Sequence, residues 1–202
     1  MNDRSALRST CLAALCAAAI ALAPGCSKSA DTAASSSGSG APQAQGPKVD
    51  IVTTDGTIVA TLDPVHAPKT VANFLHYVDT KFYNGGTFFR AVPGFVIQGG
   101  NKTKESPSDK PIELEDPQTT GLKNVDGALA MARTSDPNSA TSEFFIDIGP
   151  QAYLDGGNGM PGYAVFGNVV SGMDVVNKIV AGQAASQMLV TPVKILKIER
   201  AK

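Results

Sequence analysis

Phe88-Phe89-Arg90-Ala91-Val92-Pro93-Gly94-Phe95-Val96-Ile97-Gln98-Gly99-Gly100 is the stretch on which the reading of this chain turns. An apolar run holding one arginine is followed by Pro-Gly, a second apolar run, and Gln-Gly-Gly. This is the pattern of two short strands joined by a tight turn. Side chains alternate faces along a strand. Arg90 is therefore expected on one face with Phe88 and Val92. On the second strand Val96 and Gln98 share one face, and Phe95 and Ile97 the other. A cation among apolar side chains is costly unless it is paired or has a function. An arginine snorkelling at a strand edge is the ordinary alternative.

Upstream, Val49–Thr54 and Thr57–Leu62 alternate apolar and polar residues around Asp55-Gly56. That is a strong hairpin signal. Asp63-Pro64 ends the second strand. Pro68 suits the first position of a helix. Val71, Phe74, Leu75 and Val78 then recur at helical spacing and predict one buried face. His66, in the connection, and His76, off the apolar stripe, read as surface histidines. Downstream, Asn101–Asp116 reads as a long polar loop and Ala128–Ala132 as a short buried strand. Arg133–Ser142 is again loop. Phe144–Ile148 reads as a strand, and Gly156, Gly157, Gly159 and Gly162 as a mobile connection. Ala164–Val170 is a further strand. Met173, Val176, Ile179 and Val180 mark a second helix, and Thr191–Glu199 a closing strand. Many short strands with two helices and no regular strand–helix alternation predict an all-β barrel.

The formal net charge is −1, which gives no electrostatic basis for binding nucleic acid or for a basic membrane-binding face. All three cysteines, Cys11, Cys16 and Cys26, precede residue 27. The remainder can form no disulfide and no cysteine metal site, and two isolated histidines make no metal centre. No metal and no cofactor are expected.

Arg4 and Arg8 followed by the apolar run Leu12–Ala23 form a signal-peptide pattern, too short to span a bilayer. Ala23-Pro24-Gly25-Cys26 is similar to a lipobox, with Gly25 and Cys26 in agreement and Ala23 and Pro24 departing. A cut after Ala23 is the rival, but it would leave a proline directly behind the scissile bond. Residues 1–25 are accordingly read as a leader and Cys26 as a lipidated first residue, placing the mature chain in the bacterial periplasm on a membrane tether. Residues 26–47 are mostly Ser, Ala, Gly, Gln and Pro with almost no large apolar side chain. Such a segment cannot offset its ordering entropy and reads as a disordered linker with a reach of roughly 25 Å. Residues 48–202 form one domain of ordinary size.

The quoted stretch resembles the signature of the cyclophilin family of peptidyl-prolyl cis/trans isomerases. Two further blocks agree, in the family's order. One is Gly127-Ala128-Leu129-Ala130-Met131-Ala132-Arg133 running to Ser142-Glu143-Phe144-Phe145-Ile146. The other is Tyr153-Leu154-Asp155, Gly162-Tyr163-Ala164-Val165-Phe166-Gly167 and Gly172-Met173-Asp174-Val175-Val176. The resemblance covers about Lys48 to Arg200 and is nearest to short secreted bacterial members. It implies a closed eight-stranded antiparallel β-barrel capped by two α-helices. It implies Arg90 as catalytic donor and Phe95, Val96, Phe145 and Leu154 as walls of a proline pocket, with Tyr163 at its edge. Gln98 would orient Arg90, and the backbone of Ala132 and Arg133 would bond the substrate chain. Proline-containing polypeptides are the implied partners, and a monomer is expected.

Three positions depart from the family's pattern. Val96 stands for a common methionine. Glu143 stands for a usual glutamine two residues before Phe145; it is expected among the substrate-binding residues, where its carboxylate could pair with Arg90 and weaken its donation or be harmless. Tyr153 stands where many eukaryotic members have tryptophan. Two functions fit: an isomerase assisting folding outside the cytoplasm, or a module that grips proline segments with little catalysis. Arg90, Gln98, Phe95 and Phe145 occurring together favours the first.

Overall fold

The computed structural model describes residues 46–101 and 110–202. The expected leader, Cys26 and the linker up to residue 45 lie outside the described residues.

The first hairpin joins β1 (Lys48–Thr53) to β2 (Gly56–Leu62), paired from Thr53↔Gly56 to Lys48↔Thr61. The turn is Thr54-Asp55, one position earlier than the Asp-Gly dipeptide suggests. Thr53 Oγ1 donates to Gly56 O at 2.8 Å and accepts from Asp55 N at 3.1 Å, so its side chain closes the turn. Gly56 is the first residue of the strand, at φ +142°, and a Cβ there would lie 2.7 Å from Val175 Cγ2.

Helix α1 (Pro68–Asp79) begins on the expected proline and buries Thr70, Val71, Phe74, Leu75, Tyr77 and Val78. Its N-cap, Ala67, offers no side-chain cap. Glu115 takes that place from 46 residues away in the chain. Its Oε1 accepts from Lys69 N at 2.9 Å, and its Oε2 from Thr70 N at 2.8 Å and Thr70 Oγ1 at 2.6 Å. A carboxylate at a helix N-terminus satisfies free N–H groups and complements the dipole. The polar segment before Asp116 is thus more than surface loop, and it leads into a one-turn helix α2 (Pro117–Thr120) capped by Asp116. His66 is exposed, as expected, but it is not idle. Its Nδ1 lies 2.8 Å from Oδ2 of Asp63, which is 1% exposed, so the ring covers a buried carboxylate. His76 is exposed, as its place on the helix predicts.

The remaining strands are β3 (Thr87–Val92), β4 (Val96–Gly100), β5 (Ala128–Met131), β6 (Phe144–Asp147), β7 (Val165–Ser171), β8 (Ala184–Ala185) and β9 (Met188–Arg200). Their order is β1-β2-β7-β5-β6-β4-β3-β9, every pairing is antiparallel, and β9 returns to β1. This is a closed eight-stranded barrel. Closure removes exposed sheet edges. Strand β8 stands outside the ring as a short hairpin arm on β9, unsuspected in the sequence, and β9 begins three residues earlier than expected.

The two longer helices lie at opposite ends of β2. Phe74 of α1 packs on Phe166 at 5.0 Å and Phe144 at 5.5 Å, near the Leu62 end. Helix α3 (Met173–Val180) sets Val175 against the Gly56 end. Phe74, Tyr83, Phe88, Phe144 and Phe166 fill the core without solvent contact. Aromatic pairs of this kind, edge-to-face or tilted, supply large buried area.

Candidate active site

Arg90 does not share a face with Phe88. Along β3, Phe88 pairs with Gly99 but Arg90 pairs with Gln98, so Phe89 is an extra residue in the ladder. Phe88 and Phe89 are both buried and Arg90 is partly exposed. A β-bulge of this kind re-aims the side chain that follows it. The bulge turns the arginine out of the core and toward a pocket. Gly99 is required opposite it: a Cβ there would meet the Phe88 ring at 2.7 Å.

The turn after β3 fixes the next group. Phe95 N donates to Val92 O at 3.0 Å, and Gly94 sits at φ +69° behind Pro93. Proline at the second and a positive-φ glycine at the third position make a tight four-residue turn. Phe95 therefore belongs to the turn and escapes the alternation expected of it. Its ring joins Val96 and Gln98 in the pocket instead of following Ile97 into the core.

The pocket encloses about 640 Å³. Of the expected residues it brings together Arg90, Phe95, Val96, Gln98, Ala132, Arg133, Phe145, Leu154 and Tyr163. Phe145 is 5% exposed and stands edge-on to Tyr163 at 5.6 Å. Leu154 is 6% exposed and sits on a 3-10 turn, Ala152–Asp155. Arg90 Cζ lies 5.6 Å from the centre of the Phe95 ring. Ala132 N donates to Glu143 O, which continues the β5–β6 ladder. Of the Ala132 backbone groups, the N–H is thus taken and the carbonyl is the one left for a peptide in the pocket.

Glu143 does not line the pocket and forms no ion pair with Arg90. It acts one residue further out. Arg90 Nη1 donates to Gln98 Oε1 at 3.2 Å, and Gln98 Nε2 donates to Glu143 Oε2 at 2.8 Å. The carboxylate thus fixes which end of the Gln98 amide faces the arginine.

Arg133 turns its side chain away from the role expected of its backbone. Its guanidinium donates to Pro161 O, Gly162 O and Thr134 O and stacks 4.3 Å above the Tyr163 ring. It pins the glycine-rich connection, which folds back on itself: a Cβ on Gly156 would lie 2.5 Å from Gly162 N.

Sequence reasoning missed Ser135, Gly156, Met160 and Pro161 on the pocket wall, which Tyr153, noted above for its departure from the family's pattern, also lines. It also missed Gln187, whose Oε1 accepts from Arg90 Nε at 3.0 Å and Nη2 at 2.7 Å. Gln187 carries no local signal, being 97 residues from its partner.

A family model described as cyclophilin type peptidyl-prolyl cis-trans isomerase matches residues 48–200. The chain belongs to the cyclophilins. Peptidyl-prolyl cis-trans isomerase A of Dickeya dadantii is 46% identical over 132 residues, covering 64% of this chain and 68% of that one. Peptidyl-prolyl cis-trans isomerase B of Escherichia coli is 45% identical over 133 residues, covering 63% and 80%. Among solved structures, a Cryptosporidium parvum cyclophilin aligns with a TM-score of 0.68 at 27% identity, covering 78% of this chain and 99% of that one. That parasite cyclophilin has also been solved in the presence of the dipeptide Ala-Pro. This cyclophilin is a peptidyl-prolyl cis-trans isomerase, and its barrel is the family's.

Proposed function

We propose that this isomerase acts on X-Pro bonds of exported polypeptides, with Arg90 as the group that lowers the barrier. Rotation about a peptide bond is opposed by about 18–20 kcal/mol of C–N double-bond character. No bond need be broken, so a catalyst must only hold the twisted amide better than either planar form. Twisting leaves the prolyl nitrogen pyramidal and a better hydrogen-bond acceptor. A guanidinium is permanently charged and rigid, and suits a donor that must be in place beforehand. Phe95, Val96, Phe145 and Leu154 supply an apolar slot for the proline ring, closed at its edge by Tyr163. Gln98 orients Arg90, and the carbonyl of Ala132 is placed to accept from the substrate chain.

The observation that carries this reading is the half-satisfied guanidinium. Three of its five N–H groups are held by Gln187 and Gln98, and among the described residues two have no partner and remain beside the apolar wall. The test is a protease-coupled isomerisation assay on an X-Pro peptide. Arg90→Ala is expected to lower kcat/KM by on the order of 100-fold with the fold intact, since one preorganised donor is worth roughly 2.7–4 kcal/mol. Wild-type turnover in Arg90→Ala would leave a proline-binding module and no enzyme of this mechanism.

The periplasm as the place of action rests on the charged-then-apolar leader and on Gly25-Cys26. The polar linker behind Cys26 would let a monomeric domain sample substrates at a membrane surface. Labelled fatty acid is expected in the wild type and absent from Cys26→Ser. An unlipidated mature chain beginning at Pro24 would overturn the anchor and leave the isomerase untouched.

A further inference from the structure

We propose that Gln187, at the tip of the β8–β9 hairpin, is the positioning residue that aims Arg90, and that the hairpin exists in its strained form to do so. The inference rests on Arg90 being the donor. Gln98 meets only Nη1, and neither that one hydrogen bond nor the Phe95 ring 5.6 Å away fixes the plane of the guanidinium. Gln187 Oε1 accepts from both Nε and Nη2 and so fixes the plane of the group. A carbonyl oxygen has two lone pairs and can hold both donors. The backbone of Gln187 is tied to the same strand, because its carbonyl accepts from Ala91 N at 2.9 Å. The hairpin is therefore registered on β3 at the residue next to Arg90.

The turn itself is unusual. Ala185 pairs with Met188, so Ser186 and Gln187 form a two-residue loop, with φ of +49° and +70°. Turns with two positive φ values favour Gly, Asn or Asp, and other side chains there are disfavoured. Such strain persists at functional sites where the surroundings hold it in place. Here the glutamine side chain is the part that bonds the arginine. A glycine would relax the turn and lose the contact.

That opposition supplies the test. Gln187→Gly is expected to keep or raise Tm, to leave the Kd for an X-Pro peptide unchanged, and to lower kcat on the order of tenfold. A merely structural residue would show the reverse, a lower Tm with unchanged kcat. Gln187→Glu keeps the acceptor and is expected to restore most of kcat. In the Arg90→Ala background, Gln187→Gly should produce no further loss, since two residues acting as one unit are not additive. The Arg90 Nε–H resonance should lose its protection from exchange in Gln187→Gly and in Gln187→Asn, which tolerates the turn but is one methylene too short. Wild-type kcat in Gln187→Gly, or an equal loss with and without Arg90, overturns the proposal. Full turnover in Arg90→Ala alone is a separate result and strikes the reading of Arg90 itself.

Discussion

Arg90 and Asp147 are charged-type residues brought close by the same three strands, and they are treated in opposite ways. Gln98 of β4 bonds Arg90 and pairs with Phe145 of β6; two residues on, Val96 pairs with Asp147. Arg90 faces an open pocket and is held by neutral amides. Asp147 is fully buried, and among the described residues neither of its carboxylate oxygens has a hydrogen-bond partner. Burial, with Asp155 and Asp126 nearby, pushes its carboxyl up to about 8. A sealed carboxyl without a donor stays neutral, because the charged form cannot recover its lost hydration. Polar groups on one sheet can thus be bonded beside an open pocket or sealed without a partner, and the second arrangement costs stability.

Phe145 stands between the two and offers the largest effect. It lines the pocket and is also packed core, so Phe145→Ala should cost about 3–5 kcal/mol of stability along with turnover. Denaturant unfolding checks it. Unchanged stability would mean that the pocket wall and the core are separable here. Arg90→Lys isolates the pocket side. It keeps the charge but lacks the planar fork that Gln187 and Gln98 grip, so it should recover little of the activity lost in Arg90→Ala. Peptide binding, measured by calorimetry, should fall much less than kcat. Equal losses in both would place Arg90 in ground-state binding.

Asp147→Asn isolates the buried side. From about pH 4 to about pH 8 the unfolded chain has released the Asp147 proton and the folded chain has kept it. The stabilising contribution is complete below the lower value and is lost as pH rises through the upper one. The loss is at most about 1.4 kcal/mol per pH unit. Asp147→Asn should flatten the fall of Tm between pH 5 and 8 and leave kcat/KM at pH 7 close to wild type. Parallel Tm–pH curves for the two proteins would show that Asp147 is solvated or paired after all.

The difference between the two regions also separates what the sequence discloses from what it hides. Strands with flanking turns, helix α1 with its proline start, and the residues around the pocket were legible. They follow from local periodicity and from motif strings such as Phe88–Gly100. The register was not. A single extra residue at Phe89 reverses the face of Arg90, and no period-two reading can show it. The Thr54-Asp55 turn moved by one because a Thr53 hydroxyl outcompeted the Asp-Gly preference. Glu115 on α1 and Gln187 on Arg90 are long-range contacts made by ordinary polar side chains. Neither type of residue stands out until the barrel closes. Asp147 looks in the sequence like a polar end to an apolar strand, and its burial is a property of the fold alone.

Glu143 carries the smallest expected effect and the finest test of the pocket side. Its carboxylate, standing for the family's usual glutamine, was expected to be able to draw on Arg90. Gln98 stands between them, so the acid holds the amide that holds the guanidinium. Glu143→Gln retains an acceptor for Gln98 Nε2 and exchanges a charge-assisted bond for a neutral one. Such bonds differ by about 1 kcal/mol, and only part of that can reach Arg90 through an intervening amide. The expected change in kcat/KM is therefore a decrease of less than about fivefold. Glu143→Leu removes the acceptor, frees the Gln98 amide to turn its NH2 toward Arg90, and should lower kcat/KM further than Glu143→Gln does. A gain in activity in Glu143→Gln would mean that the negative charge, and not the orientation of Gln98, is what Arg90 feels.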